Sequence, residues 1–335
     1  MAKHLLQSSP PEDITIHYCI YHSRFPLIVR SETEGILDEV LNRKDQRDIW
    51  QSSTIKNALK STDTTHHIFV VLASPVAEVG RDHDYDWAIA EPSSMRSIIQ
   101  IAGRVFRHRE GFPETPNVLL LEKNYRGMTG KRPAFCRPGF EHKDRPLQTR
   151  KLSNNLLAEQ YRVIDARPCL VPRTPLRPTQ NLADMEHQEI RFTFDDPDPK
   201  KPYALQWLKS HATLTGELQQ RKPFRQSFKE DDYFLHLEGD DEEWTIMKWH
   251  ETGEPKECRE IQRVSLEAKA GNRIWGHVAY TDAMNRLAQR EDDEMETLSR
   301  TYGTFSLPQD TWTGRCWCYT PKLGFYEPLT DYPSY

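Results

Sequence analysis

Residues 67–73 read His67-Ile68-Phe69-Val70-Val71-Leu72-Ala73. An apolar run of this length, without alternating polar residues, is typical of a strand buried on both faces of a parallel sheet. A hydroxyl residue, Ser74, follows the run directly. Because open α/β sheets bind their ligands where the parallel strands end, the residues after Ala73 are candidates for a functional site.

The elements around this run alternate between strand and helix patterns. Ser31 and Glu34 form a capping-box pattern that predicts the start of one helix, and Ser93 can cap a second helix over about residues 95–106. Strands are predicted at residues 14–20, 67–73, 87–90 and 117–121. This alternation predicts an α/β fold with a doubly wound parallel sheet over residues 1–150.

The second half of the chain has a different composition. Four prolines between Pro168 and Pro178 predict a linker over residues 151–201. Six of the eight tryptophans follow, in residues 202–335, for which we expect a smaller mixed domain. Within it, the spacing of apolar residues predicts a helix over about residues 282–300.

The charge is unevenly distributed along the chain. The net charge is -5, yet residues 96–177 hold 17 Lys and Arg against 7 Asp and Glu. Such a block is compatible with an ordinary solvated face, and equally with a surface that lies along a phosphate backbone.

Several classes of protein are disfavoured. The longest uninterrupted apolar stretch runs from Ile68 to Ala73, far short of the roughly 20 residues that span a bilayer. We therefore expect a soluble, cytoplasmic protein without membrane contact. The six cysteines are scattered and predict free thiols. Cys316 and Cys318 lack a second metal-ligand pair at suitable spacing, so we predict no metal site.

A first candidate site follows the run at 67–73. Ser74 could contact a phosphate, Gly80 permits close approach of the backbone, and Asp82 could accept a hydrogen bond from a ribose or hold a neighbouring arginine. A turn without further function explains the same residues.

A second candidate site lies in the next predicted helix. Gln100, Arg104 and Arg107 are spaced i, i+4 and i+7, which would place them on one helical face. Two guanidinium groups on one side favour an anion, and an arginine can stabilise the charge on a transferred phosphoryl group. A solvated basic helix end is the alternative.

Together, these two patterns resemble motifs V and VI of the second RecA-like domain of superfamily 2 helicases. The amino-acid sequence of residues 78–86, 91–100 and 135–141 is similar to that of the CRISPR-associated helicase-nuclease of type I-F systems. Residues 21–25 resemble its motif IV. The resemblance covers about residues 14–145. It implies a RecA-like doubly wound sheet, followed by a linker and a C-terminal accessory domain.

The resemblance also implies a function. Proteins of this family are ATP-driven translocases on single-stranded DNA that degrade invading DNA after recruitment by a crRNA-guided surveillance complex. By position, Arg104 and Arg107 would be arginine fingers. Gly80, Asp82 and Gln100 would face the nucleotide, and Ser74, His22, Ser23 and Arg24 would face the DNA.

The chain departs from the family pattern in one important respect. It contains no Gly-x4-Gly-Lys-Ser/Thr phosphate loop, and Thr129-Gly130-Lys131-Arg132 lacks the leading glycine and the final hydroxyl. ATP and Mg²⁺ would therefore be bound mainly by another part of the motor, which carries the nuclease and the first RecA-like domain. We expect this chain alone to hold neither and to be catalytically silent. The alternative is a non-catalytic DNA-binding or protein-docking module that retains a helicase fold.

The pair His83-Asp84 invites comparison with the metal-binding dyad of HD nucleases. Such a site needs further His and Asp ligands on helices, whereas this pair lies in the loop of the motif V pattern. We therefore predict no nuclease centre here.

Overall fold

A computed structural model describes residues 1–44, 49–78, 81–164, 173–194, 229–238, 243–250, 253–309 and 316–328. The chain divides into two compact units, Met1–Arg81 with Phe228–Tyr335, and Asp82–Ser227. The sequence placed its domains at 1–150 and 202–335 with a linker at 151–201; those boundaries stay a prediction.

Helices and strands alternate in the first half of the chain, and strands dominate the second. The helices are α1 (Ala2–Gln7), α2 (Leu27–Leu41), α3 (Ser53–Lys60), α4 (Met95–Ala102), α5 (Tyr125–Met128), α6 (Ala158–Tyr161), α7 (Leu182–Phe194), α8 (Tyr280–Glu291) and α9 (Met295–Tyr302). The strands are β1 (Ile14–Tyr21), β2 (His66–Ala73), β3 (Ala88–Ala90), β4 (Val118–Leu120), β5 (Glu230–Leu237), β6 (Trp244–Trp249), β7 (Pro255–Glu257), β8 (Gln262–Arg263), β9 (Asn272–Ile274), β10 (Thr304–Pro308), β11 (Cys318–Thr320) and β12 (Gly324–Tyr326). None of the helices in these described ranges is long and apolar enough to cross a bilayer.

The first unit contains a parallel sheet in the order β2-β1-β9. β1 pairs with β2 in parallel along its whole length, from Ile14 opposite His66 to Tyr21 opposite Ala73. The predicted strands at 14–20 and 67–73 are thus confirmed as a parallel pair. The predicted burial of the second one is wrong, since β2 is half-buried and Ile68 is 38% exposed. It has a hydrogen-bonded neighbour on one side only in this sheet, which leaves it less covered than a central strand.

The same unit contains an antiparallel sheet in the order β10-β5-β6-β7 and a mixed sheet in the order β12-β11-β8. Aromatic rings of these two sheets pack together. The ring centroids of Phe305 and Phe325 are 3.7 Å apart, and those of Tyr319 and Phe325 are 4.5 Å apart. These residues share one apolar core with Tyr18 and Phe25 from the start of the chain.

The second unit has its own core and a short parallel sheet, β3 with β4. Met95 and Ile98 of α4 pack in this core with Leu152, Leu182 and Met185. Several side chains from the predicted linker at 151–201 therefore pack in this core. The architecture is a mixed α/β fold, and the described strands of residues 1–150 form two separate parallel sheets.

Three predicted helix boundaries are corrected. α2 begins at Leu27, directly after Pro26, so Ser31 lies within the helix and caps nothing. α4 is capped by Ser94, whose side chain accepts from Ser97 N, and not by Ser93; it ends at Ala102 instead of 106. The helix expected over 282–300 is broken at Asp292, whose left-handed φ of 54° ends α8.

The cysteines in the described residues are free, as predicted: Cys19, Cys136, Cys258, Cys316 and Cys318. Cys169 lies outside those ranges.

A buried carboxylate supports the first turn of α4. Glu186, on α7, is 2% exposed and accepts a hydrogen bond from Met95 N. Its second oxygen has no hydrogen-bond partner and lies 3.7 Å from Arg96 Nε. Burial raises the pKa of Glu186 to about 7, although Met95 N and Arg96 act in the opposite direction.

This pKa predicts how stability depends on pH. Between about pH 4.5 and pH 7 the folded chain keeps the Glu186 proton that the unfolded chain loses, so stability falls as pH rises through this window. We expect the stability of Glu186→Gln, relative to the wild type, to rise by about 1–3 kcal/mol between pH 5 and pH 8. Urea unfolding at both pH values measures this difference. The exposed Glu114→Gln serves as control, and a constant difference for Glu186→Gln would contradict the prediction.

Candidate functional site

Two loops of the second unit lie side by side, residues 82–86 and residues 104–109. Tyr85 N donates to Arg104 O at 2.8 Å, and Phe106 N donates to Tyr85 O at 2.9 Å. These loops carry Asp82 of the motif V pattern and the two arginines of the motif VI pattern. The structure therefore brings Asp82, Arg104 and Arg107 into one cluster.

Asp84 holds the second loop in place. Its carboxylate is fully buried and accepts from Arg107 N at 3.0 Å, from His108 N at 3.1 Å and from Arg109 Nη2 at 2.8 Å. Burial alone would raise the pKa of Asp84, but these three donors outweigh it and hold the pKa below its usual value. Asp84 is therefore a charged anchor for the backbone that carries Arg107.

Arg109 completes this anchor. Its guanidinium also donates to Asp86 Oδ1 and to Tyr85 O, both at 2.6 Å, and lies 4.6 Å from the centroid of the Phe106 ring. A cavity of about 490 Å³ opens beside it, lined partly by Trp87 and Pro116. Arg109 and Asp86 are the charged residues among those that line this cavity, and they pair with each other.

Asp82 holds an arginine, one of the two roles considered for it. Its Oδ1 forms an ion pair with Arg107 Nε at 2.9 Å and lies 3.0 Å from His108 Nε2. An incoming anion would have to compete with Asp82 for the Arg107 guanidinium.

Arg104 lies in a more positive environment. Burial and the positive charge of Arg107 lower its pKa, and Asp82 and Tyr85 only partly offset this. A negatively charged group placed beside Arg104 would relieve the repulsion between the two guanidiniums. The donor set of Arg104 and Arg107 thus fits a phosphate group.

The predicted common helical face is wrong. Gln100 is exposed on α4, whereas Arg104 and Arg107 lie beyond the helix end, and Phe106 has a left-handed φ of 54°. The hydrogen bonds that residues 104–108 make with Asp84 and Tyr85 impose this non-helical conformation. The two arginines come together through a loop and not through helical spacing.

Two predicted residues of the first pattern remain, Ser74 and Gly80. Ser74 is half-buried after β2, and its backbone N donates to Tyr21 O at 3.1 Å. Gly80 lies outside the described residues.

Residues 22–24, in the first unit, contact the end of the chain. His22 Nδ1 accepts from Arg24 N at 3.0 Å, so His22 Nε2 donates to Leu323 O at 2.8 Å. Burial lowers the pKa of His22 to about 4, so the ring is neutral at pH 7. Arg24 lies 4.8 Å above the Trp317 ring, and Ser23 is exposed. His22 thus orients this segment, and Ser23 and Arg24 are the groups that remain accessible.

His83 and Asp84 do not form a metal site. His83 is buried and its Nδ1 lies 3.1 Å from the Tyr85 hydroxyl, while Asp84 accepts from the opposite loop. Within the ranges given above, no group of three or more His, Cys, Asp and Glu side chains could hold a metal ion.

Sequence reasoning missed the anchoring roles of Asp84 and Asp86. Asp82, Asp84 and Asp86 alternate along an extended segment and so share one side of it, opposite Arg107 and Arg109. The alternation of acids was the signal that could have revealed them. The stretch at 135–141 is also structural, because Glu141 accepts from Ala134 N, Phe135 N and Leu147 N at 2.6–3.0 Å.

The anchor can be tested by matched variants. In Asp84→Asn the donors Arg107 N, His108 N and Arg109 Nη2 face an uncharged amide. We expect the free energy of unfolding to fall by about 2–4 kcal/mol. Asp86→Asn removes the 59% exposed partner of the same arginine and should cost less than about 1 kcal/mol. Urea unfolding gives both values, and hydrogen exchange at the amides of Arg107 and His108 should accelerate only for Asp84→Asn. Equal effects of the two variants would refute the anchor.

Known proteins are similar to this chain over most of its length. Residues 1–110 match the C-terminal model of the CRISPR-associated nuclease/helicase Cas3, and residues 225–327 match the C-terminal domain of the Cas3 subtype I-F/YPEST-like family. The CRISPR-associated nuclease/helicase Cas3 subtype I-F/YPEST of Pseudomonas aeruginosa is 43% identical over 97% of this chain and 30% of its own length. The protein of the same description from Pectobacterium atrosepticum is 39% identical over 98% of this chain and 31% of its own length.

Solved structures of T. fusca Cas3 also match. The AMPPNP form is 22% identical with a TM-score of 0.24 over 32% of this chain and 11% of that one, and the ADP form is 22% identical with a TM-score of 0.23 over 31% of this chain and 11% of that one. Scores of this size do not establish a common fold. The sequence matches confirm the resemblance seen in the motifs, and the chain spans less than a third of the curated relatives it matches. By its two C-terminal models and its identity to both relatives, the chain belongs to the Cas3 nuclease/helicase family of subtype I-F/YPEST and corresponds to its C-terminal part.

Proposed function

We propose that this chain supplies the second RecA-like domain and the C-terminal domain of an ATP-dependent translocase on single-stranded DNA. One observation carries the proposal. Asp84 fixes the loop of Arg104 and Arg107 against the loop of Asp82 through Arg107 N, His108 N and Arg109. Asp82, Arg104 and Arg107 are thereby held as one constellation, as a nucleotide-facing surface requires.

Arg104 and Arg107 are proposed as arginine fingers. ATP, when bound mainly by the half that carries the phosphate loop and Mg²⁺, supplies the free energy of the motor. The Arg104 guanidinium is repelled by the positive charge of Arg107, and a bound anion relieves this repulsion. Asp82 orients Arg107 until a phosphate competes for the guanidinium. Gln100, exposed on α4, and Gly80 are assigned to the same nucleotide side.

The DNA side is assigned to other residues. Ser74, Ser23 and Arg24 are proposed to face the phosphate backbone, while neutral His22 holds their segment against Leu323. The partners proposed for the chain are the nuclease and first RecA-like domains of the same motor and a crRNA-guided surveillance complex, in the cytoplasm. Both relatives named above are CRISPR-associated nuclease/helicases, which supports this assignment.

The proposal predicts ATP hydrolysis only in a shared site. DNA-stimulated hydrolysis should be undetectable for this chain alone and should appear when it is mixed with a separately expressed chain that carries the phosphate-loop half. Magnesium-dependent hydrolysis by the isolated chain would contradict the shared site.

In the mixture, Arg104→Ala and Arg107→Ala should each lower turnover on the order of 10³-fold, because each removes charge stabilisation from the transferred phosphoryl group. The exposed Arg162→Ala removes the same charge elsewhere and should leave turnover within about twofold. A loss of only a few-fold for both finger variants would set the assignment aside.

A second candidate function is a non-catalytic DNA-binding or protein-docking module. It is favoured by the excess of Lys and Arg in residues 96–177. Two results together would support this candidate: no ATP hydrolysis in the mixture of the two chains, and binding of single strands that weakens with salt. Salt weakens such binding because phosphate contacts release counterions.

A further inference from the structure

A cluster of basic side chains surrounds the turn that follows α5 in the second unit. We call this cluster the basic surface. Its members are Lys123, Arg126, Lys131, Arg132, Arg150 and Lys151. Lys131 N donates to Arg126 O at 2.9 Å, which closes the turn, and Arg126 Nε donates to Pro133 O at 2.9 Å. These bonds hold the backbone of the turn and the Arg126 side chain in place.

Arg150 and Lys151 reach this turn from a distant part of the sequence. A Cβ placed on Gly127 would lie 3.5 Å from Lys123 Cβ and 3.6 Å from Arg150 Cβ. A Cβ on Gly130, whose φ is 78°, would lie 3.5 Å from Arg150 Nη1. The Arg150 side chain thus lies along both glycines, and the two sequence segments form one surface.

Most cations of this surface have no acidic partner in the part of the chain that the structure describes. Among the described residues, Lys131, Arg132, Arg150 and Lys151 make no ion pair, and Lys131, Arg132 and Lys151 are exposed. Two acids lie near the turn, but both bind neutral donors. Glu122 accepts from Ser153 Oγ at 2.8 Å, and Glu91 accepts from Tyr125 N at 2.7 Å.

Two large side chains of α5 are exposed beside this turn. Tyr125 is 41% exposed and Met128 is 60% exposed. Basic residues that alternate with an exposed aromatic ring are typical of surfaces that bind single-stranded nucleic acid, because the cations contact phosphates while a base stacks on the ring.

We infer that the basic surface binds the phosphate backbone of single-stranded nucleic acid, with Tyr125 as a stacking platform for a base. The inference names a contact surface beyond Ser74, Ser23 and Arg24. It deepens the proposed DNA-binding function but needs no nucleotide and no second half of the motor. An acidic protein would satisfy the charges but gives the Tyr125 ring no specific role.

Equilibrium binding of a fluorescent oligo-dT of about 20 nucleotides to the whole chain tests the inference. The triple variant Lys131→Ala, Arg132→Ala, Lys151→Ala should bind at least about tenfold more weakly at about 50 mM salt. The association constant K decreases with salt, and the steepness of log K against log salt concentration should decrease by about 0.7 for each lost phosphate contact. Tyr125→Leu should weaken binding about tenfold without changing this slope, and Tyr125→Phe should preserve binding.

A charge-matched control removes three exposed arginines elsewhere, Arg259→Ala, Arg290→Ala and Arg300→Ala, and should bind within about twofold of the wild type. Equal weakening by control and test variants would overturn the inference, as would no weakening by either. Binding of a poly-glutamate peptide without binding of DNA would overturn it in favour of an acidic protein partner. These outcomes leave the arginine fingers untouched, because ATP hydrolysis in the mixed motor measures those separately.

Discussion

The arrangement of the candidate site depends on one buried carboxylate, Asp84. A charged group without solvent contact is costly unless donors surround it, and Asp84 has two backbone N–H groups and the Arg109 guanidinium within 3.1 Å. Those donors belong to the loop that carries Arg107. The chain therefore cannot bury Asp84 without also fixing that loop, and the positions of Arg104 and Arg107 follow from the same requirement.

The charges of the two loops are balanced unevenly. Asp82 pairs with Arg107, and Asp84 and Asp86 share Arg109, so carboxylates on one side of an extended segment meet arginines of the opposite loop. At Arg104 burial and the positive charge of Arg107 dominate, which lowers its pKa. An added anion thus gains most near Arg104, while Asp82 keeps Arg107 oriented before the anion arrives.

Local patterns predicted the local structure well. The apolar runs of β1 and β2 were recognisable, and so was the start of α4, because both depend on neighbouring residues. The end of α4 was not, since Asp84 and Tyr85 draw residues 104–109 away from helical geometry. The role of His22 was equally hidden, because its partner Leu323 O is 301 residues away in the sequence. Pro26 starts α2 earlier than Ser31 suggested, which shows one local signal overriding another.

The two groups of arginines differ in how they are held, and this difference separates their proposed roles. Arg107 is paired with Asp82, which fixes its geometry and suits a site where one phosphoryl group must be met at one position. The cations of the basic surface make no such pairs among the described residues, so salt ions surround them and a polyanion releases those ions on binding. Attraction of this kind depends on the backbone and not on the bases. A surface that holds DNA without reading its sequence imposes no preferred stopping point, which is the property that movement along a strand requires.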